Sequence, residues 1–111
     1  MARLRLCEDV VSLVARVQVV VEALRQVDRE VAEQLHRASR SVALNTWEGG
    51  ASRGGNRRAL LERAYASAHE CMGCVKIGCA LGYVPELEAA EVLRQLDSVA
   101  ARLWTLCHRP R

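Results

Sequence analysis

Apolar residues recur along this chain at three- and four-residue spacing in four separate stretches. In the first, Leu6, Val10, Leu13, Val14, Val17, Val20, Val21 and Leu24 mark one helical face. Its VQVVVEAL portion is rich in β-branched residues and has strand character. The helical spacing nevertheless persists across the whole segment and selects helix. A second stripe joins Val31, Leu35, Ala38, Val42 and Asn45, with Asp28 placed as its N-cap. A third runs through Leu60, Leu61, Ala64, Ala68, Cys71, Val75 and Cys79, and a fourth through Leu93, Leu96, Ala100, Leu103 and Cys107. The pattern predicts helices over 4–25, 28–48, 56–81 and 85–107.

The punctuation agrees with that division. EGGASRGGN breaks the second helix from the third, with Ser52 and Asn56 as candidate caps. In LGYVPE, Gly82 suits a left-handed C′ position and Pro85 the first turn of a new helix. Narrow stripes near heptad spacing, joined by short connections, predict an all-α fold: a single-domain, antiparallel up-down-up-down four-helix bundle. Val11, Val19, Val92, Val99 and Trp104 fall outside the stripes. They mark either exposed apolar surface of the kind found at a subunit interface or a core stripe wider than heptad spacing.

Composition changes the picture in three ways. Half the residues are hydrophobic but none is Phe, so Ala, Val and Leu must fill the core. The longest apolar runs fall far short of the roughly 20 residues a membrane span needs. Glu8 and Asp9 stand where a signal peptide would be apolar. A soluble cytoplasmic protein with no membrane partner is the expectation. Five cysteines are an odd number in no dense framework, which predicts reduced thiols.

Net charge is only +3, but its placement is uneven. An antiparallel bundle gathers Arg3, Arg5, Arg53, Arg57, Arg58, Arg63, Arg102, Arg109 and Arg111 at one end with Glu8, Asp9, Glu48 and Glu62. Nine cations against four anions leave +5 there. The other end sets Arg25, Arg29 and Lys76 against Glu22, Asp28, Glu30, Glu33, Glu86, Glu88 and Glu91, a balance of −4. Helix dipoles account for the acids that open helices 2 and 4 and for Arg102 and Arg109 where helix 4 closes. They do not account for Arg57 and Arg58 in the first turn of helix 3, or for Arg3 and Arg5 at the start of helix 1. Each of those costs up to about 0.3–1 kcal/mol against the dipole. Phosphate oxygens are the natural partner of such arginines, and an acidic protein surface is the alternative.

Other chemistry finds little support in the sequence. Cys71 and Cys74 form one C-x-x-C pair with His69 and Cys79 nearby, but a zinc site ordinarily draws on two separated pairs. Cys7 and Cys107 should approach each other at the basic end, where a disulfide is conceivable but not expected in cytosol. Glu33, His36, Ser39 and Ser41 share one helix and project differently, so no nucleophile–base–acid set forms. The glycine stretch lacks the Lys-Ser/Thr and preceding strand of a phosphate-binding loop. No catalytic residue, metal or cofactor is expected.

The segment QLHRASRSVALNTWEGG resembles the signature Q-L-x-R-A-x-x-S-I-x-x-N-I-x-E-G of the four-helix-bundle proteins encoded in intervening sequences of bacterial 23S ribosomal RNA genes. Gln34, Leu35, Arg37, Ala38, Ser41, Asn45, Glu48 and Gly49 match, with Val42 in place of Ile. Downstream, Ala66, Ala68, Glu70, Leu81, Gly82 and Tyr83 fit the family's A-x-G-S-x-x-E stretch and its L-G-Y ending. His69 and Trp47 depart from it, each standing where a small residue is usual. The resemblance spans about Asp28 to Leu106. It implies a homopentameric barrel of bundles, related to the accessory proteins of diversity-generating retroelements, which bind nucleic acid and a reverse transcriptase.

Within the motif, Asn45 and Glu48 lie three apart, and a buried Asn–Glu arrangement would tie the polar groups of the glycine joint beside Gly49. Arg37 is placed to pair with Glu33. These expectations combine into a non-enzymatic, ring-forming protein that holds structured RNA or an RNA–DNA hybrid through Arg53, Arg57 and Arg58, with Arg37 and Arg40 as weaker contributors. The alternative is a protein-interaction scaffold with no nucleic-acid binding.

Overall fold

The computed structural model describes residues 2–108, with side chains from residue 5 onward. Four helices make up the fold: α1 Ala2–Arg25, α2 Arg29–Ala51, α3 Gly54–Ala80 and α4 Glu86–Cys107. There is no strand among the described residues. Each helix packs on the next, and α4 closes onto α1. The directions alternate: Trp47 near the end of α2 reaches Cys7 near the start of α1, Ser41 meets Ser67, and Asp9 meets Arg102. The result is an antiparallel four-helix bundle, 45 Å long and about 20 Å across on its 22 and 19 Å axes. That length suits α3, whose 27 residues span about 40 Å at 1.5 Å per residue.

The turns follow from local chemistry. The Asp28 carboxylate accepts from the Val31 N–H at 3.1 Å and starts α2. At the end of α3, Tyr83 N–H donates to Gly78 O at 2.8 Å and Gly82 N–H to Cys79 O at 3.0 Å. This is a Schellman closure, and Gly82 supplies the positive φ of 76° that it requires. Pro85 then stands as the N-cap of α4.

The glycine stretch is not the broad loop that the sequence predicts. α2 continues through Gly49 and Gly50 to Ala51, α3 begins at Gly54, and only Ser52 and Arg53 join them. Ser52 closes α2: its N–H donates to Gly49 O and its hydroxyl to Glu48 O at 2.8 Å. Gly54, at φ 60°, reverses the chain. Asn56 does not cap α3, since its amide donates to Ser52 Oγ, and Arg53 occupies the N-cap without a side-chain bond. Gly49 stays helical because packing needs it. A Cβ there would lie 2.8 Å from Leu61 Cδ2. Tertiary contact outweighs the roughly 1 kcal/mol that glycine costs in a helix.

The core is built from Leu, Val, Ala and Cys, with Leu13, Leu24, Leu35, Leu61, Leu96 and Leu103 fully buried. Val92 and Val99, outside the predicted stripes, lie inside it at 5% and 2% exposure. The buried face of α4 is therefore wider than a heptad seam, as a helix flanked by two neighbours requires. Val11, Val19 and Trp104 are exposed. No helix among the described residues is long and apolar enough to cross a membrane.

Candidate nucleic-acid interface

The antiparallel order brings the first turns of α1 and α3 and the last turns of α2 and α4 to one end. Arg53 is exposed at the α2–α3 turn, and Arg57 sits one turn into α3, its N–H bonded to Arg53 O at 3.3 Å. Neither guanidinium has an ion-pair or hydrogen-bond partner among the described residues. Arg5 and Arg63 likewise have no ion pair among those residues. Arg58 contacts Glu62 at 3.7 Å, with both side chains more than half exposed. Such a pair is worth at most about 1 kcal/mol and yields readily to a stronger anion.

Arg102 is different. It donates to Asp9 at 2.8 Å across the α1–α4 seam, in a half-exposed pair that spends its charge on a carboxylate of the same chain. Cation and anion both belong to the count at this end, so the pair leaves the charge balance there unchanged and takes Arg102 out of reach of a ligand. Arg3, Arg109 and Arg111 lie outside the residues whose side chains are described.

Arg37 and Arg40 do not join this cluster. They are exposed on the flank of α2, roughly 21 and 16 Å along the axis from Ala51. The expected Arg37–Glu33 pair does not form, because Glu33 reaches across to Arg25 at 3.4 Å. Arg25 lies on the neighbouring helix, so register between helices, not spacing within one, decides the partner.

The signature residues divide into two roles. Asn45 Nδ2 donates to Ser41 O at 2.9 Å and to Ser41 Oγ at 3.0 Å, and Ser41 Oγ meets Ser67 Oγ at 2.7 Å. With Gly49 against Leu61, these residues form one continuous α2–α3 seam. The expected Asn45–Glu48 arrangement is absent: the Glu48 side chain is exposed and has no partner among the described residues. Glu48 contributes its backbone carbonyl to the Ser52 hydroxyl instead.

Several polar and aromatic contacts are additions to the sequence reading. Trp47 Nε1–H donates to Cys7 O at 3.1 Å, tying α2 to α1 at the basic end. On the α3–α4 side, Tyr65 and His69 pack as tilted rings 4.7 Å apart, and Trp104 and His108 stack at 4.1 Å. Both pairs have i,i+4 spacing, which was readable as a same-face signal.

The cysteines are packing residues. No disulfide joins Cys7, Cys71, Cys74, Cys79 or Cys107, and only Cys79 is more than marginally exposed. Burial pushes the Cys71 thiol up to about 12, with Cys74 and Glu70 adding to the effect. Burial also raises Cys74 and Cys107, Glu62 adding to the shift at Cys107 and Arg58 opposing it. Thiols held protonated in this way are poor nucleophiles and poor metal ligands.

A solved structure with the same architecture is that of a protein of unknown function from the S23 ribosomal protein family of Bacteroides thetaiotaomicron VPI-5482. It superposes with a TM-score of 0.85 over 93% of this chain and 98% of that one, at 13% sequence identity. At that identity the likeness speaks for the fold. No curated protein matches the chain. The model of the 23S rRNA-intervening sequence proteins matches residues 2–105, nearly the whole bundle. The chain belongs to the 23S rRNA-intervening sequence protein family.

Proposed function

We propose that this protein is a non-enzymatic, cytoplasmic accessory protein that binds nucleic acid through its arginine-bearing end. Its ligand is structured RNA or an RNA–DNA hybrid, and it acts as a homo-oligomeric ring, a pentamer being favoured, beside ribosomal RNA or a reverse transcriptase. One observation carries the reading. Arg53 and Arg57 stand unpaired where α3 begins, a place where the helix dipole disfavours cations and attracts anions. Arg58 beside them is held only by an exposed carboxylate. A phosphate chain crossing this end relieves the charge repulsion and adds charge-assisted bonds. Ring symmetry would repeat the patch around a rim and strengthen binding through multivalency. Arg37 and Arg40, set back on the α2 flank, would touch a ligand only if it wraps the side of the bundle.

The test is titration with a structured RNA at two salt concentrations. Affinity should fall steeply with salt, and Arg57→Glu/Arg58→Glu should weaken binding and flatten the salt slope by about 1 for each lost contact. Sedimentation of both proteins reports whether assembly is intact. A second reading, a protein-interaction scaffold, is favoured by the exposed Val11, Val19, Leu44 and Trp104. It predicts no RNA binding at low salt together with normal assembly of the arginine variant.

A further inference from the structure

Between α3 and α4 lies a shallow groove of about 390 Å³, lined by Tyr65, His69, Asp97, Ala101, Trp104 and Thr105. Its volume falls within the roughly 300–1,000 Å³ of small-molecule sites. The groove concentrates the aromatic character of a chain that has only two Trp, two Tyr and no Phe. Trp104 is 49% exposed, an expensive placement for the largest apolar side chain. It is also held in place. His108 stacks on it with an interplanar angle of 18°, and His108 Nδ1–H donates to Trp104 O at 2.8 Å. Tyr65 meets His69 one turn along in a tilted contact at 4.7 Å, with an interplanar angle of 59°.

Asp97 on the groove wall is exposed and has no hydrogen-bond or ion-pair partner among the described residues. Ala101 keeps the floor low, and the Thr105 hydroxyl is turned back onto Ala101 O. On α3, Arg58 lies seven residues before Tyr65, about 10 Å along the helix, with its partner Glu62 between them. The groove therefore lies about two helical turns from the arginine end. A planar ring can lie on braced aromatic faces, a carboxylate can accept N–H groups from its edge, and a phosphate chain can continue to the arginines.

We propose that this groove binds one unpaired guanine base of an RNA whose backbone crosses the arginine end. The inference rests on the nucleic-acid reading above and deepens it, adding base selection to phosphate contact. Guanine is the base that offers a carboxylate two adjacent N–H donors, its ring N1–H and exocyclic amine. Uracil offers one, flanked by carbonyl oxygens that a carboxylate repels. Stacking alone would tolerate any base, so the preference falls to Asp97.

The experiment uses the full chain labelled with 5-fluorotryptophan, whose two fluorine signals are assigned with Trp104→Phe. Guanosine 5′-monophosphate should shift the Trp104 signal and leave the Trp47 signal in place, and uridine 5′-monophosphate should do so only at far higher concentration. The hexanucleotide UUUGUU should bind at least about fivefold more tightly than UUUUUU. Asp97→Asn should erase that ratio but keep the shift, and Trp104→Ala should weaken binding of UUUGUU by about fivefold or more.

An unmoved Trp104 signal at saturating nucleotide overturns the proposal, as does equal response to both nucleotides. Loss of assembly in Trp104→Ala overturns it too, since the groove would then be a contact between copies. Salt-sensitive binding of structured RNA with a silent Trp104 sinks the groove and keeps the arginine end. A responding Trp104 together with a preference for UUUGUU that is insensitive to salt and to Arg57→Glu/Arg58→Glu keeps the groove and sinks the arginine end.

Discussion

The hydroxyl of Ser41 lies 2.7 Å from that of Ser67, across the seam where α2 and α3 pack, and Asn45 Nδ2 donates to the same Ser41 oxygen from one turn along. Both serines sit at the edge of an otherwise apolar interface; Ser41 also accepts from Asn45, whereas the Ser67 hydroxyl has only Ser41 as its partner among the described residues. Ser67→Ala should destabilise the bundle by about 1 kcal/mol. Thermal unfolding should register this as a fall of about 4 °C in Tm. The double variant Ser41→Ala/Ser67→Ala should lose less than the sum of the single changes, because it removes the orphaned group along with the bond.

Gly49 and Gly55 offer a second test, since both are helical glycines in different surroundings. A methyl at Gly49 would press on Leu61 Cδ2 at 2.8 Å and on its Cγ at 3.0 Å, and Leu61 is buried at 2% exposure. Gly49→Ala should cost about 1–3 kcal/mol by overpacking. A methyl at Gly55 would meet nothing within 4 Å. Gly55→Ala should stabilise by about 0.5–1 kcal/mol through helix propensity. Urea midpoints moving in opposite directions confirm the contrast.

These two glycines also mark where sequence reading succeeds and where it stops. Repeating apolar positions specify four helices, and Asp28 and Gly82 mark real ends, because caps and left-handed turns are local chemistry. EGGASRGGN misleads because propensity counts each glycine as a break, whereas Gly49 answers to Leu61 on another helix. The same limit hides the true partners of Glu33 and Ser41. Arg25 reaches Glu33, and Ser67 reaches the Ser41 that holds Asn45, only once the register between helices is set. Arg102 reads as a complement to the helix dipole until Asp9, 93 residues away in sequence, is seen beside it. The placement of Arg53 and Arg57 at the α2–α3 turn was legible, because topology alone puts them there.

Arg57 separates stability from binding. It stands in the first turn of α3 without an anionic partner among the described residues, against the helix dipole. Arg57→Glu should leave thermal stability unchanged or raise it by about 0.3–1 kcal/mol. The same change should weaken RNA binding. A residue placed for packing would lose stability on substitution and leave binding untouched, so scanning calorimetry and titration of one variant distinguish the two roles.

Cys71 gives the bundle a defined response to alkali. Its thiol is raised from an ordinary 9.0 to about 12 because burial disfavours the thiolate, and Cys74 and Cys107 shift in the same direction. The unfolded chain releases these protons near pH 9, while the native state still holds them. Between pH 9 and 12 the unfolded state therefore binds fewer protons, and stability falls as pH rises. Each thiol that remains protonated in the native state contributes a slope of up to about 1.4 kcal/mol per pH unit. Below pH 9 the contribution is fully present and flat. Urea unfolding of the wild type and Cys71→Ala from pH 8 to 10.5 isolates the Cys71 share, since lysine and tyrosine titration is common to both proteins. The wild type should lose stability more steeply above pH 9, and parallel profiles would mean that the Cys71 thiol titrates as freely in the fold as in the open chain. Alkylation of the native protein at pH 8 should correspondingly mark Cys79, the more exposed thiol, well before Cys71.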